Sequence, residues 1–212
     1  MKSYINYPIL FWLFFFGSVL GSLIEGIYCL IRHRRWETHT VTMWGPFCIV
    51  YGLGAVVLYT GAVLFEKIHI VWQFLLFSAI TTLIEYICGM ILKYGLHMKA
   101  WDYSNNRFNV QGIICLKMTV FWGFLGVIFA YTCVPQLKLW SLVLQSNLSK
   151  MVSCGMTVLM AVNLLITFAC IIRWARRHRG IAPKNQVARY IDEKYDDERM
   201  SQRFCEWHFL GN

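Results

Sequence analysis

The sequence predicts an all-α fold: a polytopic membrane helical bundle of five transmembrane helices with an internal parallel two-helix repeat. Three observations predict it. Of 212 residues, 58% are hydrophobic and only 15% charged, a balance that a soluble domain of this length does not need. The apolar residues form long continuous runs and not an alternating pattern, which favours spanning helices over barrel strands. A carboxylate-bearing tripeptide, Leu23-Ile24-Glu25, recurs as Leu83-Ile84-Glu85 in a later apolar run.

Spans are expected at residues 7–31, 44–65, 70–92, 112–134 and 152–172, together a transmembrane domain over 1–172. The first run is too long for a signal peptide, carries Glu25 and lacks a small-residue cleavage site, so it reads as an uncleaved span. Residues 173–212 form a cytoplasmic tail that is basic at first and then of mixed charge. A surface-lying amphipathic helix, a partner-docking segment and a disordered tail all fit that composition. Basic residues orient the chain. With the N-terminus outside, Arg32, Arg34 and Arg35, then Lys93, Lys99 and Arg107, and then Arg173, Arg176, Arg177, Arg179, Lys184 and Arg189 face the cytoplasm. Only Lys2, Lys67, Lys138 and Lys150 lie opposite. The positive-inside rule therefore predicts a multi-pass protein of the cytoplasmic membrane with its C-terminus inside. The net charge of +9 is explained by anionic lipid, with no need of nucleic acid.

The repeat extends beyond one tripeptide. Trp36-Glu37 matches Trp101-Asp102, and Gly45-Pro46-Phe47-Cys48-Ile49 matches Gly112-Ile113-Ile114-Cys115-Leu116. Gly52 and Gly54 have counterparts in Gly123 and Gly126. The units, about 7–65 and 70–134, run in the same direction and so are parallel repeats.

An ionised carboxylate inside a hydrocarbon-length run costs roughly 2.5–3.5 kcal/mol, so Glu25 and Glu85 mark the expected site. At 1.5 Å per residue both lie roughly 10–12 Å inside the cytoplasmic ends of their helices. Lys117 sits at a similar depth and is the expected counter-ion, in a polar cluster with Asp102 and Asn109. Trp36, Glu37, Trp101, Tyr103 and Ser104 are expected contacts from the overlying loops. Substrate or ion binding, proton relay and a purely architectural link between repeats all remain open for this cluster. No Walker A loop, G-x-S-x-G or metal-spaced histidine set appears. The eight cysteines contain no C-x-x-C pair and read as packing residues. No metal, cofactor or catalytic residue is expected.

These residues together resemble a family. The Leu-Ile-Glu spans, the run from Gly45-Pro46 to Tyr51-Gly52-Leu53-Gly54, Trp101-Asp102-Tyr103-Ser104, Asn109-x-x-Gly112 and Trp122-Gly123 are similar to the bacterial family named putative ABC-transporter type IV. The resemblance covers about residues 10–135. Ile49 and Ile113 depart from it, standing where proline and a basic residue are usual. It implies an integral membrane permease or transport component that acts with a separate ATP-binding subunit. The alternatives are a non-transporting membrane scaffold or lipid-binding assembly factor, and an intramembrane enzyme acting on lipid headgroups. Self-association is compatible with each.

Overall fold

The computed structural model describes residues 4–34 and 41–211. Its first helix, α1 (Tyr7–His33), is capped by the Asn6 side chain accepting from the Ile9 N–H, with proline in the first turn, as helix starts favour. Next come α2 (Ile49–Leu64) and α3 (Ile70–Met90), which continues into a π-helical stretch, Ile91–Leu96. Two short strand pairs follow in the loop region. Strands β2 (Asn109–Val110) and β3 (Ile114–Cys115) pair with each other, and β1 (Met98–Lys99) pairs with β4 (His208–Phe209) from the tail. The remaining helices are α4 (Leu116–Thr132), α5 (Val134–Val143), α6 (Asn147–His178), α7 (Gln186–Lys194) and α8 (Asp197–Arg203).

Three helical stretches are long and apolar enough to cross a bilayer: Tyr7–Ile31, Ile70–Leu96 and Asn147–His178. A fourth arises if α4 and α5, bent by 56°, form one broken span. The second predicted span begins later than expected. Gly45 has φ +72 and Pro46 follows it, so the segment before Cys48 is not helical. The Cys48 N–H instead donates to the Ser18 carbonyl. The resulting α2 has 16 residues, short of the roughly 20 that a straight crossing needs. The α4–α5 bend falls at Pro135, which cannot donate to the preceding turn. Large apolar side chains such as Leu20, Ile24, Ile31, Leu83, Phe124 and Leu165 point outward, which suits a lipid surround and not water.

Two helix pairs form the frame. In α1–α2, a Cβ on Gly52 would collide with Ser18 Oγ and with Phe14; in α3–α4, a Cβ on Gly123 would collide with Ser78 Oγ and Phe74. Each pair thus closes on a glycine set against a Phe-x-x-x-Ser step of its partner helix. Small residues at such crossings let backbones approach without a hydrophobic driving force.

The tail is folded. Ile191, Met200, Phe204 and Trp207 join Met98, Cys170, Ile171, Trp174 and Ala175 in one buried cluster. Asp192 accepts from Arg173 Nε at 3.0 Å and from Arg177 Nη1 at 2.7 Å, and Arg177 also meets Asp197. Arg203 donates to the carbonyls of Thr42 and Gly45, and the Leu210 N–H donates to the His97 carbonyl. These bonds tie the tail to the segments flanking both helix pairs. They also bring the end of the π-helical stretch that follows α3 next to the end of α6. Helix α6 holds the first of these segments too. Asn163 exchanges hydrogen bonds with the Trp44 backbone, and Thr167 Oγ1 accepts from the Met43 N–H.

Candidate functional site

Glu85 is 5% exposed, so its carboxylate needs partners inside the protein. Oε1 accepts from the Tyr103 hydroxyl at 2.9 Å and Oε2 from the Trp122 indole at 3.2 Å. Glu25 is half-buried and accepts from the Tyr51 hydroxyl. The Tyr51 and Trp122 rings meet edge-on, with centroids 5.7 Å apart. Glu25, Tyr51, Trp122, Glu85 and Tyr103 therefore form a continuous polar-aromatic chain across the two helix pairs. Tyr51 immediately precedes Gly52, and Trp122 immediately precedes Gly123. In each pair, the residue before the packing glycine donates to that pair's own glutamate.

All five line one cavity of about 590 Å³, within the usual size of small-molecule sites. Its walls are otherwise largely apolar, and the tail contributes Trp207, with Arg176 and Arg179 from the end of α6. Two carboxylates that line one largely apolar cavity attract a cation or a strong donor.

The loop before α4 explains why Tyr103 reaches inward. The Tyr103 N–H donates to the Gly112 carbonyl. Asn109 Nδ2 donates to the carbonyls of Ser104 and Asn106, while its Oδ1 accepts from the Gly112 N–H. Gly112 itself has φ +72, and a Cβ there would sit 2.5 Å from Ser104 Oγ. Trp101 Nε1 donates to the Ile113 carbonyl at 2.8 Å. Asp102 accepts from Lys99 at 2.6 Å and from the Ser104 N–H at 2.9 Å.

Lys99, then Ser104, hold the Asp102 carboxyl at about 2, below the ordinary range near 3.9. A depressed carboxylate stabilises the fold above its unfolded value and loses that contribution as pH falls through the folded one. The protection of the Ser104 amide against exchange, relative to an unstructured chain at the same pH, is therefore expected to fall between about pH 4 and 2, and Asp102→Asn to abolish that dependence. The side chain is 39% exposed, so screening keeps the effect local.

Among the expected site residues, Glu25, Glu85, Trp101 and Tyr103 meet at the cavity. Asp102, Ser104 and Asn109 build the loop beside it. Asp102 does not cap the carboxylates; Tyr103 does. Lys117 is exposed, does not line the cavity, and forms no ion pair with either glutamate among the described residues. Trp36 and Glu37 lie outside the described residues. Tyr51 and Trp122 entered the sequence reading only as motif residues, Arg176 and Arg179 only as basic residues of the tail, and Trp207 was not expected at the site. For Tyr51 and Trp122 a signal existed in the residue preceding each matched glycine. No group of three or more metal-capable side chains occurs among the described residues.

Tyr103→Phe removes a hydrogen bond to a buried carboxylate and is expected to destabilise the detergent-solubilised protein by about 1.5–3 kcal/mol. Tyr94→Phe, which removes an exposed bond to Gln111, should shift the thermal midpoint far less.

A family model described as putative ABC-transporter type IV matches residues 12–168. Neither comparison with curated proteins nor comparison with solved structures finds a match.

Proposed function

The chain belongs to the putative ABC-transporter type IV family, and we propose that it is the membrane-embedded component of a transport system driven by a separate ATP-binding subunit. The observation that carries this reading is the convergence of Glu25 and Glu85, from two different helix pairs, on one cavity within the apolar bundle. Intramembrane carboxylates facing a cavity mark substrate or ion pathways. Sites at the interface of repeats are where transporters place them.

In this reading α1–α2 and α3–α4 are duplicated units. Phe14, Ser18, Glu25, Tyr51 and Gly52 correspond to Phe74, Ser78, Glu85, Trp122 and Gly123. With α2 and the bent α4–α5 both counted as crossings, the bundle has five. The face carrying Arg34, Lys93, Lys99, Arg107 and the arginines of α6 is cytoplasmic. Residues 173–212 pack there as a folded tail under the membrane domain, next to where an ATP-binding subunit would dock.

The test is affinity purification of the full tagged chain from native membranes in mild detergent. An ATP-binding subunit should co-purify. It should be retained by Glu25→Gln and Glu85→Gln, while transport coupled to its ATP hydrolysis falls at least tenfold. Recovery of no such subunit overturns the reading. A lipid-binding scaffold is the second reading, favoured by the largely apolar cavity wall. It predicts a tightly retained lipid and no ATPase.

A further inference from the structure

The hairpin of β2 and β3 holds a large apolar side chain in open space. Phe108, one residue before β2, is 79% exposed and has φ +55, a conformation that bulky residues rarely adopt. Such residues persist where their surroundings hold them, often for a use. The surroundings here do so at both ends of the hairpin. The Leu116 N–H donates to the Phe108 carbonyl and closes its base. At the turn, Gln111 also has a positive φ. Its carbonyl accepts from Lys93 Nζ at 3.1 Å, and its Oε1 accepts from the Tyr94 hydroxyl at 2.9 Å. The hairpin is thereby strapped to the end of the apolar stretch Ile70–Leu96.

That strap fixes its depth. At 1.5 Å per residue, a helix that enters a roughly 30 Å hydrocarbon core at Ile70 leaves it near Met90. Lys93, Tyr94 and the hairpin they hold therefore lie in the headgroup layer. Two exposed apolar stripes run into it. Leu83, Ile87 and Ile91 lead along α3 to Tyr94, and Leu116, Val120 and Phe124 lead from the hairpin along α4. Phe108, bonded through its carbonyl to Leu116, continues the second stripe.

The charge around Phe108 has one sign. Arg107 and Lys117 adjoin Phe108 and Leu116 in the chain. Both are exposed, and neither has an ion-pair partner among the described residues. Lys93 keeps two N–H donors beyond the one given to Gln111. The sequence has no acid between Glu85 and Asp102, and none from Tyr103 to Thr132. Asp102 itself is engaged by Lys99. An aromatic ring set among unpaired cations at headgroup depth matches an anionic lipid surface.

The geometry points to the β2–β3 hairpin as a membrane-interface anchor selective for anionic phospholipid. Phe108 enters the boundary between headgroups and acyl chains, and Arg107, Lys117 and Lys93 meet the phosphates. This gives Lys117 a partner outside the protein, where the sequence led to a search for one inside it. The inference goes beyond the transport reading and does not depend on it.

The test uses the full chain in nanodiscs of phosphatidylcholine containing a minority of phosphatidylglycerol. A photoreactive benzophenone carried on the ring at position 108 is photolysed, and lipid adducts are read by mass spectrometry. The same group at position 124, about 12 Å further along the lipid face of α4, is the reference. A basic residue near the surface favours anionic lipid by about fivefold. Adducts from position 108 should therefore be enriched in phosphatidylglycerol by about fivefold or more over its share of the bilayer. Adducts from position 124 should follow that share. Arg107→Gln with Lys117→Gln should bring position 108 down to the same proportion while lipid adducts persist. Both side chains are exposed and unpaired, so this variant keeps its fold and its thermal midpoint. An absence of lipid adducts at position 108 overturns the proposal, as does proportional recovery in the parent chain or unchanged enrichment in the double variant. In native membranes, a protein adduct at position 108 in place of lipid overturns it as well. Neither ATPase nor transport is read here, so the outcome bears on the hairpin alone.

Discussion

Asp192→Ala is expected to destabilise the end of the bundle that packs against the tail by about 3–5 kcal/mol, because it strands a buried cation. The Arg173 side chain is only 6% exposed and sits in the wall of the cluster that joins α6 to the tail. Its fork is taken up by the two carboxylate oxygens of Asp192, with Arg177 sharing one of them. Arg173, then Arg177, hold the Asp192 carboxyl below its ordinary range. The stabilisation is therefore present above that range and lost as pH falls through the depressed value. Thermal unfolding in detergent should show the loss, and trypsin should cut first between residues 176 and 203. Glu193→Ala, one position away and exposed, should stay within about 0.5 kcal/mol of the parent.

The second large effect is expected at the helix crossing. Gly52→Ala should cost about 3 kcal/mol, the upper end for overpacking. The added Cβ meets Ser18 Oγ, and it also meets the Phe14 carbonyl at 2.6 Å, a backbone atom that cannot swing aside. Gly54→Ala is the internal contrast. Nothing lies within 4 Å of a Cβ there, so the change should gain up to about 1 kcal/mol of helix propensity. Equal thermal midpoints for the two variants would show that α1 and α2 do not cross at Gly52.

The site was partly legible because a buried carboxylate stands out against hydrocarbon. Glu25 and Glu85 could be found by cost alone, and their repeated context pointed to a shared level. Tyr51 and Trp122 could not. An aromatic residue inside an apolar run is the ordinary composition of a core; the place of each just before a matched glycine was the one signal, and the folded geometry shows what its donor meets. Lys117 misled for a related reason. Its position in the run gave a depth but not a face, and the helix turns it outward. A span boundary failed where backbone rules outweigh hydropathy, at Gly45-Pro46 before α2; the fourth span was expected to end just before Pro135, near the end of α4, and α5 beyond it was not foreseen. The tail's composition allowed disorder as readily as structure. Its partners are long-range: Arg173 with Asp192, Arg203 with the Thr42 and Gly45 carbonyls, and β4 with β1.

The central claim is that Glu25 and Glu85 share one cavity and form one site. Its most direct measurement is the stoichiometry of labelling by a hydrophobic carbodiimide, read by mass spectrometry on the intact chain and its peptides. The predicted result is a single adduct per chain, divided between Glu25 and Glu85, with Glu85→Gln moving it entirely to Glu25. A hydrophobic adduct on one glutamate occupies part of the cavity that the other lines and hinders entry of a second reagent. Chains carrying adducts at both glutamates together would contradict the claim.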